Sequence, residues 1–165
     1  SFWDGKKSGG ALLDLHIHDA DFAAYCFGSP SHIYAQGHTK VSGEIDHVLT
    51  QFTVECGAAV SAEGSWAMAK GFGFNMAYTV NLENATVDYD SAREDEALKL
   101  YEPDKDPQIL KLRSGDGYTG QIAHLAESIQ SGIAPTIVTA QDGLTSMELC
   151  EAAAQSINSG EKVAL

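Results

Sequence analysis

The middle of the chain alternates between apolar and polar positions. Val48, Thr50, Phe52, Val54 and Cys56 interleave with Leu49, Gln51, Thr53 and Glu55, and Phe74, Met76, Tyr78, Val80 and Leu82 interleave with Asn75, Ala77, Thr79 and Asn81. A period of two puts each set on its own face of a strand, so both runs predict strands with one greasy side. Shorter strands are expected at 32–38, 58–66, 85–89 and 98–101, separated by turns at Gly57, Gly64 and the Glu83-Asn84 pair. An antiparallel sheet is the natural arrangement of such closely spaced strands.

Toward the C-terminus the period changes. Tyr118, Ile122, Leu125 and Ile129 recur at helical spacing until Gly132 and Pro135 stop the run. Leu144, Met147, Cys150, Ala154 and Ile157 mark another helix closed by Gly160, with Asp142 and Glu148 in its N-terminal half, where the helix dipole favours carboxylates. The expected fold is α+β: an open, mainly antiparallel sheet with helices packed on one face. The other face, carrying Gln51, Thr53, Asn75, Thr79 and Asn81, is only moderately polar and suits pairing with a second copy.

The segment from Gly9 to Phe22, GGALLDLHIHDADF, supports two readings with different chemistry. As a strand it turns Leu13, Leu15 and Ile17 one way and Asp14, His16 and His18 the other, which resembles the D-x-H-x-H metal-binding strand of amidohydrolases and implies a metal-dependent hydrolase. As a helix it gives an apolar stripe of Leu13, Ile17, Ala20, Ala24 and Phe27 beside a polar stripe of Asp14, His18, Asp21 and Tyr25. His16 and His18 then diverge and cannot share a metal. The strand pattern stops at His18, whereas the helical pattern runs to the break at Gly28-Ser29-Pro30, so the longer match selects the helix.

Composition narrows the partners. The 165 residues fit a single domain, 44% apolar residues supply a core without disulfides or metals, and a net charge of -13 would repel nucleic acid and anionic membranes. No apolar run approaches the roughly 18 residues of a membrane span, and SFWDGKKSGG has no signal-peptide core. Cys26, Cys56 and Cys150 are odd in number and widely spaced, which predicts three buried thiols and a reducing, cytoplasmic setting. The chain does not begin with Met, so an upstream targeting signal would not be visible.

Once the helix is accepted, GGALLDLHIHDADFAAYCFG resembles the opening of the C-terminal domain of the glucose-fructose oxidoreductase, inositol dehydrogenase and MocA-like family. Gly9, Gly10, Asp14, His18 and Asp19 carry the motif, and the likeness continues through Ser65-Trp66, the 98–101 strand, residues 118–129 and the closing Ser156-x-x-Ser159-Gly160-x-x-Val163. The resemblance implies a C-terminal substrate and oligomerisation domain over 1–165, belonging to an NAD- or NADP-dependent sugar or polyol oxidoreductase whose N-terminal Rossmann domain is absent. It further implies that His18 is the general acid/base, that Asp14 hydrogen-bonds a substrate hydroxyl, and that homo-oligomers form through the open sheet face.

The chemistry suits these residues, because oxidising a secondary alcohol requires loss of the hydroxyl proton and an imidazole titrates near ~6.5. His16 is a second substrate-side candidate, although a buried, hydrogen-bonded histidine is the favoured reading of its place near the apolar stripe. No G-x-G-x-x-G occurs, since Gly71-Phe72-Gly73 lacks the third glycine and leads into a strand, and no Lys precedes Pro as in the family's Glu-Lys-Pro motif. No cofactor or metal is therefore expected on this chain, and alone it is expected to be inactive. Alternatives are a catalytically idle carbohydrate-binding or dimerisation module, and the hydrolase using Asp14, His16 and His18.

Overall fold

A computed structural model describes residues 4–112 and 115–165; the first three residues of the segment read above for targeting lie outside the described residues. The order of elements is α1 (Gly5–Ser8), a π-helical turn (Leu12–His16), α2 (Ile17–Phe27), β1 (His32–His38), β2 (His47–Thr53), β3 (Ala59–Ser65), β4 (Ala77–Asn81), β5 (Thr86–Asp90), a 3-10 turn (Ser91–Glu96), β6 (Leu98–Tyr101), β7 (Gln108–Ile109), α3 (Gly117–Ser131), α4 (Ala140–Ser159) and β8 (Val163–Ala164). The contacts divide the chain into two compact units, one of Ser1–Ala69 with Pro135–Leu165 and one of Lys70–Ala134.

The first unit holds a four-stranded sheet in the order β3-β2-β1-β8, antiparallel throughout. Its register lines up Ile33 with Phe52 and Val60, Ala35 with Thr50 and Ala62, and Gly37 with Val48 and Gly64. These rows face the helices, and the core comprises Ile33, Ala35, Val48 and Phe52 beneath Leu12, Ala20, Leu149, Cys150, Ala152 and Ala153. Each large apolar side chain fully buried here contributes roughly 1.5–3 kcal/mol.

α4 begins at a capping box, in which Thr139 and Asp142 satisfy each other's backbone N–H, and ends at Gly160 with φ 74°. Its buried stripe is Ser146, Leu149, Cys150, Ala152, Ala153 and Ser156, while Leu144 and Met147, expected inside, are exposed. Small residues dominate the buried side, and Cys150, Ala154 and Ile157 of the expected stripe pack in or against the core. The small side chains let the helix approach β1 closely enough for Ser156 Oγ to accept from Ala35 N at 2.9 Å and donate to Glu161 O at 2.6 Å.

The second unit holds the antiparallel sheet β4-β5-β6-β7 and the helix α3. Tyr78 and Tyr89 stack across β4 and β5 with ring centroids 5.2 Å apart, and Arg93 donates to Asp88 at 2.6 Å, which holds the Asp88 carboxyl below its usual range. β4 is shorter than the alternation from Phe74 to Leu82 suggests. Its partner β5 ends at Asp90, and Ser91 N donates to Met76 O as the chain enters the 3-10 turn, leaving Phe74 and Met76 outside the ladder. α3 starts at Asp116, whose side chain accepts from Thr119 N, and its stripe of Tyr118, Ile122, Leu125 and Ile129 is exposed.

The α+β class with antiparallel pairing and helices on one face of a sheet is therefore present. The strands are shared between two sheets because residues 66–76, which include Gly71 at φ 95°, form no strand. The thiols differ from expectation: Cys150 is buried, but Cys26 at the end of α2 and Cys56 in the turn after β2 are exposed. Among the described residues no helix is long and apolar enough to cross a membrane.

Candidate functional site

The segment that decides the chemistry is helical, so the strand on which the hydrolase alternative rests is not formed. Its first turn is a π-helix, a widened turn that accommodates one extra residue and is frequent at functional sites. Two glycines set its start. Gly10 adopts φ 71°, and a Cβ there would stand 2.6 Å from Ile45 O, whose carbonyl accepts Leu12 N at 3.3 Å. The helix is thereby pinned to the chain just before β2 before it crosses the sheet.

Five acidic or histidine side chains follow in this helix: Asp14, His16, His18, Asp19 and Asp21. Three of them are engaged by the fold. His16, 1% exposed, lies against the sheet with Nε2 2.9 Å from Thr50 Oγ1 and Nδ1 3.2 Å from an Asp19 carboxylate oxygen. A carboxylate only accepts, so Nδ1 carries the hydrogen, and in the neutral ring Nε2 accepts from the Thr50 hydroxyl. Asp21 accepts from Ser146 Oγ at 2.8 Å, tying α2 to α4.

Asp14 and His18 differ from these three. Asp14 is half-buried on the π-turn and His18 is exposed one turn later, and among the described residues neither forms a hydrogen bond or ion pair. The helix thus leaves one acid and one imidazole available to a ligand, four residues apart, while it buries His16. Among the described residues no group of three or more His, Cys, Asp or Glu is placed to hold a metal ion.

Three residues of this neighbourhood escaped sequence reasoning. Thr50 was visible as a polar residue on the greasy face of a strand, a position that calls for a buried partner. Gly64, read as a turn, is a strand residue under the helix, where a Cβ would lie 3.0 Å from His16 Cβ and 3.1 Å from its Nδ1. Asp46, buried before β2, gave no signal in the sequence. Cys150 packs beneath the same turn with Sγ 3.5 Å from Leu12 O, and burial, with the Asp19 charge adding to it, pushes its thiol up to about 12. A cleft of about 120 Å³ opens elsewhere, between α2 and the start of α4, but its carboxylates Asp21 and Asp142 are already engaged by Ser146 and Thr139.

Comparison with known sequences supplies the deciding observation: the sequence model described as GFO/IDH/MocA C-terminal domain matches residues 1–88. The chain belongs to this family. Across 97% of its length it is 30% identical to the uncharacterized oxidoreductase YrbE of Bacillus subtilis (strain 168) and 27% identical to scyllo-inositol 2-dehydrogenase (NAD(+)) of the same organism. It covers 49% of each, so this GFO/IDH/MocA domain spans about half the length of these curated relatives.

Among solved structures, aldose-aldose oxidoreductase from Caulobacter crescentus, complexed with glycerol, matches all of the chain and 51% of its own length with TM-score 0.83 and 22% identity. Levoglucosan dehydrogenase in complex with NADH and levoglucosan matches 99% of the chain and 53% of its own length with TM-score 0.80 and 20% identity. At these identities the structural matches show a shared fold and nothing further.

Proposed function

We propose that residues 1–165 are the C-terminal substrate-binding and oligomerisation domain of an NAD(P)-dependent sugar or polyol oxidoreductase, with His18 as general acid/base and Asp14 as its substrate-side partner. One observation carries this reading: of the five acidic and histidine residues on the helix, Asp14 and His18 are the two that, among the described residues, no protein group occupies. In the oxidation of a secondary alcohol, the His18 imidazole takes the hydroxyl proton and returns it in the reverse direction. The Asp14 carboxylate accepts a hydrogen bond from a substrate hydroxyl and so orients the substrate toward His18. His16, with both ring nitrogens occupied inside the fold, orients the helix and makes no substrate contact in this scheme.

The described residues do not fit a dinucleotide. Phosphate cradles of that kind need a glycine-rich turn between a strand and a helix of a parallel sheet, whereas every pairing here is antiparallel and Gly71-Phe72-Gly73 lies in a non-strand link. The nicotinamide named for the scyllo-inositol and levoglucosan enzymes therefore belongs, in this proposal, to the other half of a longer protein. That half also walls the substrate, since His18 is exposed and Asp14 only half-buried. Self-association uses the outer face of the first sheet, where Leu49, Gln51 and Thr53 of β2 are exposed.

The test is His18→Ala in the longer protein, which should lower turnover by roughly 10² to 10⁴ with folding unchanged. Unchanged turnover would remove His18 from the mechanism. Sugar binding without any turnover in the unmodified protein would instead indicate an idle carbohydrate-binding relative.

A further inference from the structure

Asp46 takes no part in the chemistry above, yet it is the carboxylate that the fold buries completely, at 0% exposure. One oxygen, Oδ2, accepts the backbone N–H groups of Lys40, Val41 and Ser42 at 2.8, 2.6 and 2.9 Å. The other, Oδ1, has no hydrogen-bond partner among the described residues. The backbone of Asp46 is fixed as well, donating to His38 O at 3.0 Å and accepting from Trp66 N at 2.7 Å. The link between β1 and β2 is therefore wound around one charged side chain. Burying that charge is costly, and three consecutive N–H donors constrain the link in a way that an apolar side chain cannot.

The outer side of the same link receives the start of the chain. Ser42 O accepts Gly5 N at 3.0 Å, and Ile45 O accepts Leu12 N at 3.3 Å. Both contacts are close, since a Cβ on Gly5 would stand 2.8 Å from Ser42 O and one on Gly10 would stand 2.6 Å from Ile45 O. Leu12 opens the π-turn and Asp14 lies two residues further along it.

We propose that Asp46 is a positioning residue for the Asp14–His18 pair: by holding the 40–45 link it fixes the carbonyls on which the π-turn is seated, and so the direction in which Asp14 faces. The inference rests on the reading of Asp14 and His18 as the pair that meets substrate. Asp46 touches neither residue and acts through the Ser42 and Ile45 carbonyls.

The experiment is NMR on the chain, comparing Asp46→Ala and Asp46→Asn with the parent, each with and without Asp14→Asn. In the parent, Asp14→Asn should move the His18 ring Cε1–H resonance at fixed pH. In Asp46→Ala, amide exchange at Gly5 and Leu12 should accelerate about tenfold or more relative to the β1–β2 ladder, and the His18 response to Asp14→Asn should vanish. Asp46→Asn, which keeps an oxygen for the three donors but loses the charge, should recover part of both and leave a several-fold rise in exchange. Unchanged exchange and an unchanged His18 response would overturn the proposal. So would a lower urea midpoint with the His18 response intact, because that marks a merely structural carboxylate.

If Asp46→Ala does not fold, Asp46→Asn decides alone: a several-fold rise in Gly5 and Leu12 exchange with a diminished His18 response supports the role, and no change in either refutes it. If Asp14→Asn fails to move His18 in the parent, the substrate-pair reading falls, while exchange at Gly5 and Leu12 still reports whether Asp46 anchors the turn.

Discussion

Replacing Gly64 by Ala places two effects of opposite sign on one methyl group. In an ordinary strand interior the change should stabilise, because glycine costs roughly 0.5–1 kcal/mol relative to alanine. Here the added Cβ would meet His16 Cβ at 3.0 Å, His16 Nδ1 at 3.1 Å and Asp19 Oδ2 at 3.3 Å. These atoms belong to a helix clamped by the His16–Thr50 hydrogen bond, so relief requires lifting the helix by a few tenths of an ångström and stretching that bond from 2.9 Å. Overpacking of this kind costs roughly 1–3 kcal/mol and a weakened buried hydrogen bond about 1 more, so a net loss of about 1–3 kcal/mol is expected.

The assay is urea unfolding of Gly64→Ala, His16→Gly and the double variant, followed by circular dichroism. His16→Gly removes the two nearest atoms, so in that background Gly64→Ala should become neutral or stabilising, with a coupling of about 2 kcal/mol. A Gly64→Ala variant as stable as the parent would refute the close-approach argument. An equal loss in both backgrounds would refute the assignment of that loss to His16.

Three further outcomes follow from the first unit. Ser156→Ala strands the buried Ala35 N–H and should cost roughly 1–3 kcal/mol by urea or thermal unfolding, whereas Ser159→Ala at the exposed end of α4 should cost far less. A thiol reagent should label Cys26 and Cys56 in the native chain, and Cys150, buried with its thiol pushed up to about 12, only at the rate of opening. Burial acts to raise the Asp46 carboxyl, but hydrogen bonds from the Ser42 hydroxyl and the N–H groups of Ser42, Val41 and Lys40 outweigh it and hold it at about 2. Because the folded value lies below the unfolded one, this stability is complete above about pH 4 and lost as pH falls through about 2; it amounts to about 2 kcal/mol, and Asp46→Asn should flatten that acid limb in pH-dependent urea midpoints.

The strand pattern located β1 and β6 residue for residue and β3 and β5 within one residue at each end, but it ran three residues past the end of β2 at Thr53, into the turn that holds Cys56. It overran β4, whose end is decided by the turn at Ser91 on the neighbouring strand and by nothing in its own residues. Helical spacing found α3 and α4 and put Cys150, Ala154 and Ile157 of α4 against the core, but Leu144 and Met147 are exposed while Ser146 and Leu149 are buried in the first half of that helix. On the candidate site, the helix and the polar stripe with Asp14 and His18 were readable from spacing. The distant residues packed against that helix and the link it is seated on were not: Thr50, Gly64 and Asp46 lie more than 25 residues away, and their places arise from register and backbone proximity that no local pattern encodes.

The π-turn at Leu12–His16 also bears on how this segment tolerates changes in length. A π-turn is a helix holding one residue more than α geometry would, so deleting a single residue there would restore an ordinary helix without breaking it. Everything upstream would then rotate by about 100° relative to His18. Leu12 would lose its seat between Ile45 O and Cys150, and Gly10 would meet the link before β2 in a different orientation. The count of residues between Gly10 and His18 is thus under the same constraint as their identity, and a one-residue deletion here should do more harm than most substitutions.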